Sequence, residues 1–67
     1  MAINYSLTAR RRRQQLGLSQ REVAERTGCH KRTIRAFEHD EHQIGFDYVL
    51  AIYKTLGLKL VVEAEKG

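Results

Sequence analysis

Glycine placement limits this chain more than any other feature. Gly17, Gly28, Gly45 and Gly57 punctuate its apolar-periodic stretches, and there is no proline anywhere. Each glycine admits the left-handed backbone at which helices end. The intervals between them hold short helices and exclude a long one. Only the stretch after Gly57 changes character. Leu58-Lys59-Leu60-Val61-Val62-Glu63 is rich in β-branched residues and roughly alternates, so it reads as a strand. A fifth helix is the alternative.

Within those intervals the periodicity predicts four helices. The first opens with Ser6 as its N-cap and runs to about Leu16, with Tyr5, Ala9 and Leu16 on one side. The second opens at Ser19, because Ser19-Gln20-Arg21-Glu22 has the form of a capping box. Val23, Ala24 and Thr27 face inward, and Gly28 ends it. The third starts with Cys29 or His30 at its cap and reaches about Glu38. Ile34 and Phe37 form its buried stripe, with Lys31, Arg32, Arg35 and Ala36 opposite. His39 to Ile44 is a loop. The fourth runs from Phe46 to about Leu56, with Asp47 in the first turn, where the helix dipole favours an acid. Phe46, Val49, Leu50, Ile52, Tyr53 and Leu56 give it a broad apolar face.

At 67 residues the chain makes one domain, too small for an enzyme fold with a deep cofactor cleft. Its stability should be marginal, so oligomerisation would help it. Cys29 is the only cysteine, which excludes an internal disulfide and fits a cytoplasmic location. No apolar run approaches the roughly 18 residues of a membrane span. The apolar cluster from Ile3 to Ala9 has no basic segment before it, so no secretory signal is expected.

Charge is divided unevenly. Residues 1–35 carry Arg10, Arg11, Arg12, Arg13, Arg21, Arg26, Lys31, Arg32 and Arg35 against Glu22 and Glu25 alone. The remainder is mildly acidic, and the net charge is +4. A basic half joined to an acidic one is the footprint of a polyanion binder with one working face. Arginine predominates, and its planar fork suits phosphates and guanine edges. A solvated basic surface with no partner is the plain alternative.

The combination of motifs is more specific. Ser19-Gln20-Arg21-Glu22-Val23-Ala24-Glu25-Arg26-Thr27-Gly28 precedes Lys31-Arg32-Thr33-Ile34-Arg35-Ala36-Phe37-Glu38. With Arg13, Gly17-Leu18 and Leu56-Gly57 in register, this resembles the Cro/C1 (XRE) family of helix-turn-helix repressors over residues 9 to 57. The resemblance implies an all-α, compact four-helix domain, here residues 1–57, followed by the strand and tail of residues 58–67. It also implies a DNA-binding transcriptional repressor that meets a palindromic operator as a homodimer. No cofactor, metal or catalytic residue is expected.

The resemblance assigns roles residue by residue. Base reading falls on Lys31, Arg32 and Ala36, with Arg35 beside them. Lysine or arginine can donate to guanine O6 and N7, and an alanine can touch a thymine methyl. Gln20 matches a glutamine that contacts phosphate. Arg10, Arg12, Arg21, Thr33, His39 and Gln43 complete the expected phosphate contacts. Arg13 and Glu38 match an internal ion pair. Arg12 stands where the family is usually apolar, and Asp40 and Ile44 stand where it often has glycine and proline.

Other patterns carry less. His39 and His42 have a metal-like spacing but read as part of a polar loop beside the DNA backbone. Cys29-His30 lacks an acid partner and reads as a packed turn, not a nucleophile. Tyr48 and Tyr53 read as core or interface. Two rivals belong to other classes. An enzyme lacks a catalytic constellation here, and a protein-interaction module leaves the basic face of the third helix unexplained. The strand implies dimerisation through Leu58, Leu60 and Val62, paired antiparallel across a two-fold axis. It also resembles HipB-like antitoxins, which would add a cognate toxin as partner. A phage Cro-like regulator and a restriction-modification controller fit the same residues.

Overall fold

In the computed structural model, which describes residues 5–41 and 44–59, the chain forms four helices: α1 Tyr5–Gln15, α2 Gln20–Thr27, α3 Lys31–Glu38 and α4 Phe46–Thr55. The order and type of all four match the sequence expectation. The strand expected over residues 58–63 lies outside the described residues from Leu60 onward. Leu58 and Lys59 are irregular, and the Leu58 N–H donates to the Tyr53 carbonyl at 2.8 Å. The Leu58 side chain packs against its own domain's core. Leu60 and Val62, the other expected interface residues, are not among the described ones.

Local chemistry explains the helix boundaries. Ser19 caps α2: its hydroxyl accepts the Glu22 N–H at 3.0 Å, and the Glu22 carboxylate accepts the Ser19 N–H at 3.0 Å. Gly28 ends the helix in the left-handed region, at φ 76. The end of α3 has a different solution. Asp40 takes positive φ, 55, so the chain doubles back. The Glu41 N–H then reaches the Ala36 carbonyl at 2.9 Å, and the Asp40 N–H reaches that of Phe37 at 3.2 Å. This is a Schellman closure with aspartate in the place glycine usually fills.

All four helices meet on one core. Ala9, Val23, Ala24, Ile34, Phe37, Ile52, Tyr53 and Leu56 are buried together, with Cys29 and Val49 packed at its edge. The expected stripe on α3 is therefore present: Ile34 is wholly buried and Phe37 nearly so. The small Ala24 sits on α2 within the same core, as a close helix crossing requires. Tyr53 anchors α1, its hydroxyl donating to the Tyr5 carbonyl at 2.8 Å and its ring meeting that of Tyr5 edge-on. Desolvation at that site raises the Tyr53 phenol above its ordinary pKa.

Three expectations about burial are corrected. The first helix begins at Tyr5, which leaves Ser6 buried inside its first turn and not acting as the cap. Leu16 is exposed, because it lies past the end of α1 where Gly17 turns the chain. The apolar face of α4 is split: Ile52, Tyr53 and Leu56 are buried, whereas Phe46 and Leu50 remain 55% and 39% exposed. Those two positions point past the core, since α1, α2 and α3 occupy only one side of α4.

The capping box makes stability pH-dependent. The Glu22 carboxyl is held below its ordinary pKa, chiefly by the Ser19 backbone N–H and then by the Ser19 hydroxyl. A depressed carboxylate pKa contributes stability above the ordinary glutamate range and loses it as pH falls through the lowered value. Ser19→Ala should destabilise the domain by about 1 kcal/mol at neutral pH. That difference should largely persist as the pH falls, because the Ser19 hydroxyl accepts a backbone N–H, whereas melts of the parent and of Glu22→Ala should draw together as the pH is taken below the Glu22 titration. A Glu22→Ala difference that stays constant with pH would contradict the charged half of the box.

Candidate nucleic-acid interface

The outward side of α3 is built from three cations. Lys31, Arg32 and Arg35 are one turn apart or less, and all are exposed. None joins an ion pair among the described residues. His30 is the N-cap in an extended conformation, and its side chain makes no capping bond. Its carbonyl accepts from the Thr33 and Ile34 N–H groups, which leaves the Lys31 and Arg32 amides at the open helix end. That end carries positive partial charge, which adds to the field of Lys31 and Arg32. His30, Lys31, Arg32 and Thr33 line a shallow concavity there.

An ion pair lies behind this surface. Arg13 on α1 grips Glu38 at the end of α3 with two parallel bonds, Nε to Oε2 at 2.7 Å and Nη2 to Oε1 at 2.9 Å. Its remaining Nη1 donates to the Leu18 carbonyl at 2.8 Å, in the turn before α2. Gln20 Nε2 on α2 donates to Glu38 Oε1 at 3.2 Å. The Glu38 side chain is only 3% exposed and that of Arg13 13% exposed. The hydrogen bond to Glu38 raises the Arg13 pKa above its ordinary value, against the opposing effect of burial. One buried carboxylate therefore holds three helices in register.

The other expected contact residues divide. Arg10, Gln20 and Thr33 are half-buried, and Arg21 and His39 are exposed. Arg21 lies 3.5 Å from Glu25 in a well-solvated pair one turn along α2, an interaction worth little in water. Gln43 lies outside the described residues, as does His42 of the metal-like spacing.

Two residues are placed otherwise than expected. Ala36, expected on the outward side, is buried at 7% exposure. Ala36 stands one turn beyond Arg32 and Thr33 on the helix, and its methyl projects less than either of those side chains. The outward face consists of Lys31, Arg32 and Arg35 without it. Arg12, expected on phosphate, is half-buried, and its Nε donates to the Leu56 carbonyl at 3.0 Å. Leu56 is the C-cap of α4, where carbonyls lack partners and the dipole favours a cation. No local pattern announces this contact, because its partners are 44 residues apart.

A helix-turn-helix family model matches residues 10–62, most of the chain. The chain belongs to the Cro/C1-type helix-turn-helix family. No curated protein and no solved structure matches it. Membership makes α2 and α3 the helix-turn-helix pair of a DNA-binding transcription regulator, with the Gly28-Cys29-His30 connection as its turn. None of the described helices is long and apolar enough to cross a membrane.

Both internal contacts can be tested without DNA. Glu38→Ala strands the Arg13 guanidinium, which pairs with no other acid among the described residues, and should cost about 3 kcal/mol or more of stability. Its melting temperature should fall sharply in DNA-free buffer. Arg12→Ala should also melt earlier, by the equivalent of about 1 kcal/mol, because the part-buried Leu56 carbonyl loses its hydrogen bond. If Arg12→Ala melted with the parent and lost only DNA affinity, Arg12 would be a phosphate ligand after all.

Proposed function

We propose that this chain is a sequence-specific repressor that binds a palindromic operator as a homodimer, with α3 in the major groove. One observation carries the reading: Lys31, Arg32 and Arg35 are exposed and free of acidic partners among the described residues, while Glu38, the acid at the buried end of α3, is neutralised from behind by Arg13. Arg32 and Lys31 are the base readers, positioned to donate to guanine O6 and N7. Arg35 stands beside them. Gln20, Arg10, Arg21, Thr33 and His39 hold phosphates, which fix orientation and carry no sequence information directly. The chain works in the cytoplasm, at the DNA.

The small size of the domain favours a homodimer, since it gains from burying more surface. Residues 58–63, paired antiparallel with their copy, would extend the interface from the end of α4. A role as antitoxin rests on that segment alone, and the neighbouring reading frame would decide it.

The test is selection from a random duplex library, followed by salt titration on the selected site. Parent binding should weaken steeply with salt, as counterion release demands. Arg32→Ala should lose about 1–3 kcal/mol on the selected site and relax one base position. Arg10→Ala should weaken binding evenly across sequences. An Arg32→Ala protein with unchanged affinity and preference would remove α3 as the reading element. Salt-insensitive binding by the parent would overturn the DNA-binding reading itself.

A further inference from the structure

The exposed side of α4 has a pattern that the DNA surface does not use. At about 100° per residue, Phe46, Leu50, Lys54, Asp47 and Ala51 fall within an arc of about 140°. Val49, Ile52, Tyr53 and Leu56 face the core. The outward arc therefore has large apolar groups at Phe46 and Leu50 and a small residue at Ala51. Asp47 stands at its N-terminal end and Lys54 at its C-terminal end. Both charged side chains are exposed, and neither pairs with another described residue. They are seven residues apart, about 10.5 Å along the helix.

This spacing has a symmetry property. A two-fold axis through the midpoint between residues 50 and 51 lays α4 antiparallel against its copy. Position 47 then lies opposite position 54 on the other helix, and 54 opposite 47. Leu50 and Ala51 lie on opposite flanks of the arc, so Leu50 meets its own copy on one side of the axis and Ala51 meets its copy on the other, where the small side chain permits the close approach of two helix axes. Each Asp47 faces a Lys54 and each Lys54 an Asp47, so both charge pairs form around an apolar centre. A parallel arrangement would oppose like charges. The self-complementarity points to a second copy of this chain as the occupant, because an isologous interface needs this kind of pattern.

We infer that the outward face of α4 is the self-association surface, with Leu50 and Ala51 at the two-fold axis and reciprocal Asp47–Lys54 pairs on either side. The inference rests on the homodimer reading above and gives that dimer a surface among the described residues. Phe46 lies at the margin of the contact, where its exposed ring would cover the apolar centre from water.

Charge reversal tests it on the full chain, by sedimentation across a range of concentrations at low and at high salt. Asp47→Lys sets two cations against each other at each charge pair, and Lys54→Asp sets two acids together. Each variant alone should raise the dimer dissociation constant at least about tenfold at low salt, and by less at high salt. An equimolar mixture of the two should recover association, because every facing pair is then opposite in charge. Leu50→Gln, tested separately, should weaken the dimer at both salt concentrations. Circular dichroism checks that each variant stays folded. A parent that remains monomeric throughout would overturn the homodimer reading and the surface with it. A parent dimer unaffected by Leu50→Gln and either reversal, or a mixture no more associated than its components, would overturn the surface and leave the homodimer standing.

Discussion

The Arg13–Glu38 pair is the constraint on which the arrangement of α1, α2 and α3 depends. A carboxylate that is almost wholly buried is strongly unfavourable unless it is paired and hydrogen-bonded. Glu38 meets that demand with Arg13 from α1 and Gln20 from α2, at 2.7–3.2 Å. Moving α3 by a fraction of a turn would break all three bonds together. The pair also has an electrostatic effect. Because Glu38 is neutralised on its inner side, it need not be satisfied by Lys31 or Arg35. Those cations keep their outward field, which is what a polyanion would meet.

The helices themselves need this support. α2 and α3 are eight residues each, well short of the length at which isolated helices persist in water. Their ends are therefore closed by specific chemistry. The start of α2 has the reciprocal Ser19–Glu22 box, and its end has Gly28. The end of α3 has Asp40 in the left-handed region, a conformation tolerated by aspartate better than by most side chains. The end of α4 has Gly57 in the left-handed region, with the Leu58 N–H on the Tyr53 carbonyl, and adds a guanidinium from α1. Aspartate at the end of α3 is thus the departure from the usual glycine.

What could be read from the sequence follows the range of each interaction. The Ser19 box, the Gly28 stop, the Ile34–Phe37 stripe and the order of the helices depend on residues within one or two turns of each other, and the structure shows all of them. Arg13 with Glu38 was legible only through the family resemblance, since composition and periodicity carry no information about a contact across 25 residues. The misplaced residues are those whose surroundings are set elsewhere. Ala36 projects less than its longer neighbours on the helix, Arg12 is drawn to the far end of α4, and Phe46 and Leu50 extend beyond the reach of the other helices. An apolar residue at helical spacing shows that a face is amphipathic and does not show how wide the neighbouring element is.

Hydrogen bonds from Arg12 to Leu56 and from Tyr53 to Tyr5 help join α1 to α4, spanning 44 and 48 residues. The three-residue turn that connects α2 and α3 is local by comparison. Closing a segment of more than forty residues carries a larger entropic cost than closing a turn, and the reward comes only after the ends meet. The folding route is therefore ordered by topology: the α2–α3 hairpin can assemble early, and the clasp between the first and last helices forms late. The burial of Ala9 on α1 and of Leu56 at the end of α4 is thus among the last contacts to be secured.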